Sequence, residues 1–149
     1  MWKFICTAML IIALAACHTN KSMSKTEHTV VTTDYTLPQE VSASASFRML
    51  WDSWSAEFKQ SGKTLDQYVP SEQLIKRFAL RQRNNEYLVT GFLNTQAEFD
   101  INSLNQLGGY GTKYNDSTYS FAIPLRSLPQ FVILPGITYI EAASPVRNR

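Results

Sequence analysis

The sequence predicts an α+β fold in which an antiparallel sheet carries helices on one face. From residue 86 onward, stretches with the two-residue apolar repeat of strands alternate with stretches that have helical spacing. Their order is strand, helix, a hairpin of two strands, helix and strand, with glycine, asparagine and proline at the breaks. Such an order is typical of an antiparallel sheet with its helices on one side. An amphipathic helix and a further hairpin strand precede this unit.

The first predicted element is an amphipathic helix that starts at Ser46 and ends at Gly62. Large apolar residues recur at the spacing of one helix face. They are Phe47, Leu50, Trp51, Trp54 and Phe58. Ser46 is a suitable N-cap, and Gly62 is a typical stop signal. We interpret the two tryptophans as part of the core rather than as a platform for a ligand.

A β-hairpin is predicted for residues 78–94. Residues 78–83 and 86–94 have strand patterns, and Asn84-Asn85 between them suits a tight turn because asparagine tolerates positive φ. The second strand has apolar residues on both faces, which indicates a central position in the sheet. A short helix over residues 72–76 is predicted just before the hairpin.

The remaining elements complete the βαββαβ order of the ferredoxin-like fold. In chain order they are a helix at 101–107, strands at 110–114 and 118–123, a short helix from 125 and a strand at 137–142. Asp100 is the predicted cap of the first of these helices. Gly108-Gly109 and Pro135-Gly136 end the two helices.

The amino terminus resembles a bacterial lipoprotein signal peptide. Lys3 precedes an apolar run, and Leu14-Ala15-Ala16-Cys17 at its end has the form of a lipobox. The run is too short to cross a bilayer as a mature helix. The resemblance implies removal of residues 1–16, lipidation of Cys17 and attachment to the bilayer of the bacterial cell envelope. His18 rather than aspartate follows the cysteine, which by the same resemblance favours the outer membrane.

Residues 17–45 are predicted to be a flexible tether, and residues 46–149 are predicted to be the folded domain. The tether segment is rich in Ser, Thr and Lys and poor in large apolar residues. Such a segment buries too little apolar surface to offset its ordering entropy. Pairing of residues 29–37 as a strand remains an alternative.

The predicted domain lacks the residues of the common catalytic and metal sites. The net charge of +2 does not demand nucleic acid as a partner. No cysteine follows Cys17, and His18 and His28 lie in the predicted tether. This pattern argues against Ser-His-Asp, Cys-His and zinc sites in the domain. Carboxylates alone remain, mostly at predicted caps and turns, so we expect no enzymatic activity, metal or cofactor.

Basic residues cluster around the first strand of the predicted hairpin. They are Lys76, Arg77, Arg81 and Arg83. Arg81 and Arg83 share one face of that strand. We interpret the charge as protection of a sheet edge, and the alternative is a contact face for an acidic partner.

Residues 86–146 contain a series of motifs made mostly of packing and turn residues. They are Tyr87-Leu88-Val89-Thr90-Gly91-Phe92-Leu93, Phe99-Asp100, Ser103-Leu104-Asn105-Gln106-Leu107-Gly108-Gly109, Gly111-Thr112-Lys113, Ala122-Ile123-Pro124-Leu125, Leu134-Pro135-Gly136-Ile137-Thr138-Tyr139-Ile140-Glu141-Ala142 and Ser144-Pro145-Val146. With them, the region resembles the propeptide-like, inhibitor-like domain at the N-terminus of bacterial subtilisin-like serine peptidases. The resemblance implies a module that docks a sheet face on its enzyme and places its C-terminal tail in the substrate cleft.

The resemblance makes the C-terminal tail the candidate partner-binding segment. Its residues are Ser144, Pro145, Val146, Arg147, Asn148 and Arg149. The implied function is a membrane-anchored, non-catalytic protein-binding module whose partner is a secreted or periplasmic peptidase. Inhibition or folding assistance would be the result, and papain-like peptidases are a variant of the partner class. The alternative is a structural or assembly lipoprotein of the cell envelope with no peptidase partner.

Overall fold

The computed structural model describes residues 35–144, which form a mixed α+β domain of helices and an antiparallel sheet. The helices are α1 (Ala45–Ser61), α2 (Glu72–Arg77), α3 (Asn102–Gln106) and α4 (Leu128–Phe131), the last preceded by a 3-10 turn at Leu125–Ser127. The strands are β1 (Arg81–Arg83), β2 (Glu86–Thr95), β3 (Tyr110–Lys113), β4 (Thr118–Pro124) and β5 (Ile137–Ala142). The predicted signal peptide and Cys17 lie outside the described residues.

The sheet is organised around β2, which is paired along both of its edges. On one side β2 pairs with β4, and β4 pairs with β3. On the other side β1 pairs with residues 86–88 of β2, and β5 pairs with residues 91–95. All four pairings are antiparallel. The prediction that β2 is a central strand is therefore confirmed, and two different strands divide one of its edges.

The two faces of the sheet have different surroundings. All four helices contribute buried side chains to one core, which also takes Val89 and Leu93 from β2. Phe92 and Asn94, which flank Leu93 in β2, point to the opposite face and are exposed. Gly91 lies where β5 approaches closely, because a β-carbon there would overlap the backbone carbonyl oxygen of Glu141.

Helix α1 begins slightly earlier than the sequence predicts. Ser44, not Ser46, is the N-cap, and its hydroxyl oxygen accepts a hydrogen bond of 3.1 Å from the Phe47 backbone N–H. Ser46 is already helical, and its hydroxyl donates to the Ala142 carbonyl oxygen at 3.1 Å. The prediction was wrong because apolar periodicity starts only at Phe47. Gly62 ends the helix with φ of 62°, as predicted.

Strand β1 is shorter than the predicted 78–83. Phe78 is the C-cap of α2, and Ala79 has φ of 49°, which no strand contains. The strand therefore begins only at Arg81. The predicted turn at Asn84-Asn85 is confirmed, with φ of 47° and 66°.

Residues 35–44, named here the N-terminal strap, pack against the domain although they fall in the predicted tether. Tyr35, Leu37, Val41 and Ala43 are partly buried against the core. The Ile140 N–H donates to the Ser42 carbonyl oxygen at 3.0 Å, and the Ser44 N–H donates to the Ile140 carbonyl oxygen at 2.9 Å. The strap thus covers the outer edge of β5, which would otherwise be open to pairing.

Candidate functional site

The predicted tail begins where β5 leaves the sheet. The Ala143 N–H donates to the Thr90 carbonyl oxygen at 2.8 Å, and the exposed Ser144 follows it. Beyond this point the edge of β2 is occupied by β1, which pairs with Leu88 through Arg81. This edge of β2 is therefore closed to a further strand at residues 86–88. The remaining residues of the tail, 145–149, lie outside the described part of the chain.

The face of the sheet opposite the helices, named here the open face, displays large aromatic side chains. Phe92 is 47% exposed, Tyr110 is 43% exposed and Tyr114 is 78% exposed. The rings of Phe92 and Tyr114 meet edge to face with centroids 6.4 Å apart. Exposed aromatic residues grouped on one surface of a folded domain are typical of interaction sites.

Arg83 and Tyr110 form a bridge across the open face. The guanidinium carbon of Arg83 lies 5.0 Å from the centroid of the Tyr110 ring. Arg83 is in β1 and Tyr110 is in β3, the strands at the two ends of the hydrogen-bonded order β1-β2-β4-β3, so the pair spans β2 and β4. Leu88 and Ala122 face the same side and are only 4% and 3% exposed.

A concavity of about 490 Å³ opens beside this bridge, and we name it the Arg83 pocket. Its lining residues are Arg83, Asn84, Glu86, Leu88, Gly108, Gly109 and Tyr110. The pocket thus combines a guanidinium group, an aromatic ring and one aliphatic side chain, Leu88, in a mostly polar lining. It lies at the end of the sheet toward which β5 runs.

Arg126 neutralises the carboxylate of the pocket. Its Nη2 lies 2.6 Å from Glu86 Oε1, and its Nη1 lies 3.4 Å from Asp66 Oδ1. A second cavity of about 450 Å³, which includes Leu65 and Tyr87 in its lining, adjoins the same ion pairs. Arg126 thus contacts both carboxylates that lie beside this cavity.

The four basic residues around β1 fall into two groups, those with a nearby partner on α2 and those on the open face. Lys76 Nζ pairs with Glu72 Oε2 at 2.8 Å, and the Arg77 guanidinium lies 5.2 Å from the centroid of the Phe78 ring. Arg81 and Arg83 lie on one face, as predicted, and this is the open face because they pair with Leu88 and Glu86. Within residues 35–144 neither forms an ion pair.

Glu57 is the carboxylate with the most hydrogen bonds among the described residues, and its role is structural. It accepts hydrogen bonds of 2.7 Å from the Tyr68 hydroxyl and from the backbone N–H and hydroxyl of Ser71. Burial raises the pKa of Glu57, but the hydrogen bonds from Ser71 and Tyr68 together outweigh it and hold the pKa below its ordinary value. Burial, and then Glu57 itself, raises the pKa of Tyr68. A carboxyl that loses its proton so readily is a poor general acid.

The described residues offer no assembled metal centre. No group of three or more His, Cys, Asp and Glu side chains gathers in residues 35–144. No helix in this part of the chain is long and apolar enough to span a membrane.

Sequence reasoning missed the aromatic residues of the open face. The signal was present in β3 and the residue after it, where Tyr110, Thr112 and Tyr114 alternate with Gly111 and Lys113, and Gly111 faces Leu104 of α3. The contact between Arg83 and Tyr110 left no such signal, because it joins strands that are not neighbours in the sheet.

Comparison of the chain with protein-family models, curated proteins and solved structures finds no match. The resemblances to lipoprotein signals and to subtilisin propeptides therefore stay predictions from the residues. The open face and the Arg83 pocket are identified by geometry alone.

Proposed function

We propose that this chain is a membrane-anchored, non-catalytic protein-binding module that docks through the open face of its sheet. The observation that carries the proposal is the group of exposed aromatic side chains, Phe92, Tyr110 and Tyr114, on a sheet face that contributes little to the helix-covered core. Aromatic residues and arginine are the types enriched at binding hot spots. Cys17 supplies the lipid anchor, with the outer membrane as its destination.

The finer fold assignment is the ferredoxin-like βαββαβ arrangement. It is supported by the antiparallel neighbours of β2, β5 on one side and β4 with β3 on the other. It is also supported by α3 between β2 and β3 and by α4 between β4 and β5. In this arrangement β1 is an added hairpin strand that shares the β5 side of β2.

The partner class that we propose is a secreted or periplasmic peptidase, which is inhibited or helped to fold. The direction of β5 supports this class, since the strand runs toward the end of the sheet that holds the Arg83 pocket and is followed there by Ala143 and Ser144. A partner docked on the open face at that end lies within reach of the tail.

The test is an inhibition assay with the chain from residue 18 to residue 149, which keeps every contact of residues 35–144. Residual activity is followed for a panel of subtilisin-like and papain-like peptidases. We expect inhibition of at least one of them, and we expect a chain that ends at Ala143 and the variant Tyr114→Ser to inhibit it about tenfold less well. Ile133→Ser is the matched control, because Ile133 is 67% exposed and belongs to no sheet strand.

Two outcomes would contradict the proposal. If no peptidase is inhibited while the chain is folded and uncleaved, the result favours the alternative function, an assembly lipoprotein without a peptidase partner. If Ile133→Ser weakens inhibition as much as Tyr114→Ser, the docking surface is not the open face.

A further inference from the structure

We propose that the Arg83 pocket receives a carboxylate side chain, Asp or Glu, from the docked protein. The inference rests on the proposed function in one respect, that the partner is a protein. It adds the chemistry by which this partner is recognised.

The guanidinium of Arg83 is already held in place for such a contact. Its carbon lies 5.0 Å from the centroid of the Tyr110 ring, so the ring restricts the long side chain before any partner arrives. A guanidinium that contacts a ring keeps N–H donors free for a carboxylate, and its planar fork matches the two carboxylate oxygens. Ordering the donor in advance reduces the entropic cost of binding.

Arg83 lies across the strand pair from Glu86 but forms no ion pair with it. Glu86 is the single acidic residue of the lining, and its Oε1 lies 2.6 Å from Arg126 Nη2. Arg81 adds a second positive charge on the same face, about 7 Å along the strand. An incoming carboxylate therefore meets two guanidinium groups that form no ion pair within residues 35–144.

Part of the pocket lining is apolar or without side chains. Leu88 is 4% exposed, and Gly108 and Gly109 form a wall without side chains. A charge pair beside apolar groups is screened less by water than one on an open surface. An acidic residue inserted here would be shielded from water on one side by Leu88 and the Tyr110 ring.

A protein carboxylate fits this surface better than an anionic membrane does. Recognition of anionic lipids typically uses clusters of four to eight basic residues. Within residues 35–144 the cluster places only Arg81 and Arg83 on the open face, and Lys76 is already paired with Glu72. The aromatic neighbours Phe92 and Tyr114 require a partner with complementary shape.

The test is an NMR titration of the isotopically labelled chain of residues 18–149. The probe is N-acetyl-glutamic acid α-methylamide, and the glutamine analogue is its uncharged counterpart. We expect saturable shifts of the backbone amides of Asn84, Gly109 and Tyr110 with the glutamate probe, with a millimolar Kd, and none with the glutamine probe. Arg83→Gln should raise the Kd about tenfold or more, and Arg83→Lys should keep only part of the affinity because it lacks the fork.

Arg77→Gln is the matched control, because Arg77 also lies over an aromatic ring but on α2, away from the pocket. Its Kd should equal that of the unmodified chain. Equal shifts with both probes, no saturation with the glutamate probe, or full binding by Arg83→Gln would each overturn the proposal. Flotation with phosphatidylglycerol vesicles adds a further arm. Vesicle binding that requires Arg83, without any response to the glutamate probe, would overturn it in favour of a membrane contact.

The two proposals fail in different ways. If a peptidase is inhibited equally well by the unmodified chain and by Arg83→Gln, the pocket inference is wrong and docking through the open face stands. If the glutamate probe binds and no peptidase is inhibited, carboxylate recognition stands and the peptidase partner is wrong.

Discussion

The indole nitrogens of Trp51 and Trp54 have different surroundings although both rings are buried. Trp51 Nε1 donates to the Tyr35 carbonyl oxygen at 3.1 Å. Trp54 Nε1 has no hydrogen-bond partner among the described residues. The Trp54 ring instead packs against Tyr35, Trp51 and Phe58, with centroids 5.5, 5.3 and 5.9 Å away. At 2% and 0% exposed, both tryptophans belong to the core, as the sequence predicts.

Replacing each tryptophan by phenylalanine should therefore have unequal effects on stability. Trp54→Phe removes an unpaired donor, whose burial costs about 1–3 kcal/mol, and this offsets part of the lost packing. Trp51→Phe removes the indole donor and leaves the Tyr35 carbonyl oxygen without this hydrogen bond. The free energy of unfolding should therefore fall more for Trp51→Phe than for Trp54→Phe. Trp54→Ala removes the whole ring and should lower the free energy of unfolding by about 3–5 kcal/mol. Urea unfolding measures all three, and a larger loss for Trp54→Phe than for Trp51→Phe would contradict the prediction.

The sequence predicted which residues form the core stripe of α1 but not the partner of Trp51. The stripe follows from local periodicity, which needs no knowledge of the rest of the chain. The partner, Tyr35, lies in a segment whose composition resembles a tether, and no local pattern shows where its carbonyl oxygen will lie.

At the scale of elements, Glu57 joins α1 to the start of α2. Its carboxylate bonds Ser71, and the Ser71 hydroxyl oxygen also accepts from the Leu74 N–H at 3.2 Å as the N-cap of α2. One side chain thus fixes the cap of a helix of six residues that would be marginal on its own.

Acid should weaken this link. The pKa of Glu57 is lower in the folded chain than its ordinary value of 4.5, so its stabilising contribution is complete above that pH. The contribution is lost as the pH falls through the lowered pKa. Near neutral pH, Glu57→Gln should lower the free energy of unfolding by about 1–2 kcal/mol. On acidification, the free energy of unfolding of this variant should fall less than that of the unmodified chain. Glu98→Gln, at an exposed carboxylate, is the control for both measurements, which use urea unfolding at a series of pH values.

The N-terminal strap is a second link between elements, and it extends the stable unit beyond the predicted boundary at residue 46. A chain that starts at residue 46 lacks Tyr35 against Trp54 and lacks the two hydrogen bonds to Ile140. We expect it to unfold at a lower temperature than a chain that starts at residue 35, and to self-associate through the uncovered edge of β5. Thermal unfolding and light scattering test this. Equal melting temperatures and a monomer in both cases would show that the strap does not stabilise the domain.

At the scale of the whole molecule, the order of elements was predictable and their arrangement in the sheet was less so. Turn residues such as Asn84-Asn85 and Gly62 mark boundaries by local chemistry. The division of one edge of β2 between β1 and β5 depends on contacts distant in sequence, as does the bridge from Arg83 to Tyr110. For the same reason the open face emerged from the structure rather than from periodicity.

The open face should be separable from the fold by mutation. Phe92→Ser and Tyr114→Ser alter exposed side chains, so each should change the free energy of unfolding by no more than about 1 kcal/mol. Combined, they should remove partner binding while the circular dichroism spectrum is retained. A double variant that unfolds would show that these residues hold the sheet together instead.

The strap also decides where mechanical force enters the molecule. Tension on the chain before Tyr35, as an anchor at Cys17 would apply it, reaches the domain first at the Trp51 indole and then at Ile140 of β5. Those contacts would give way before the pairing of β2 with β4, which has the longest register in the sheet. If the proposed anchor at Cys17 and a partner on the open face were pulled apart, the strap would therefore stretch while the open face keeps its shape.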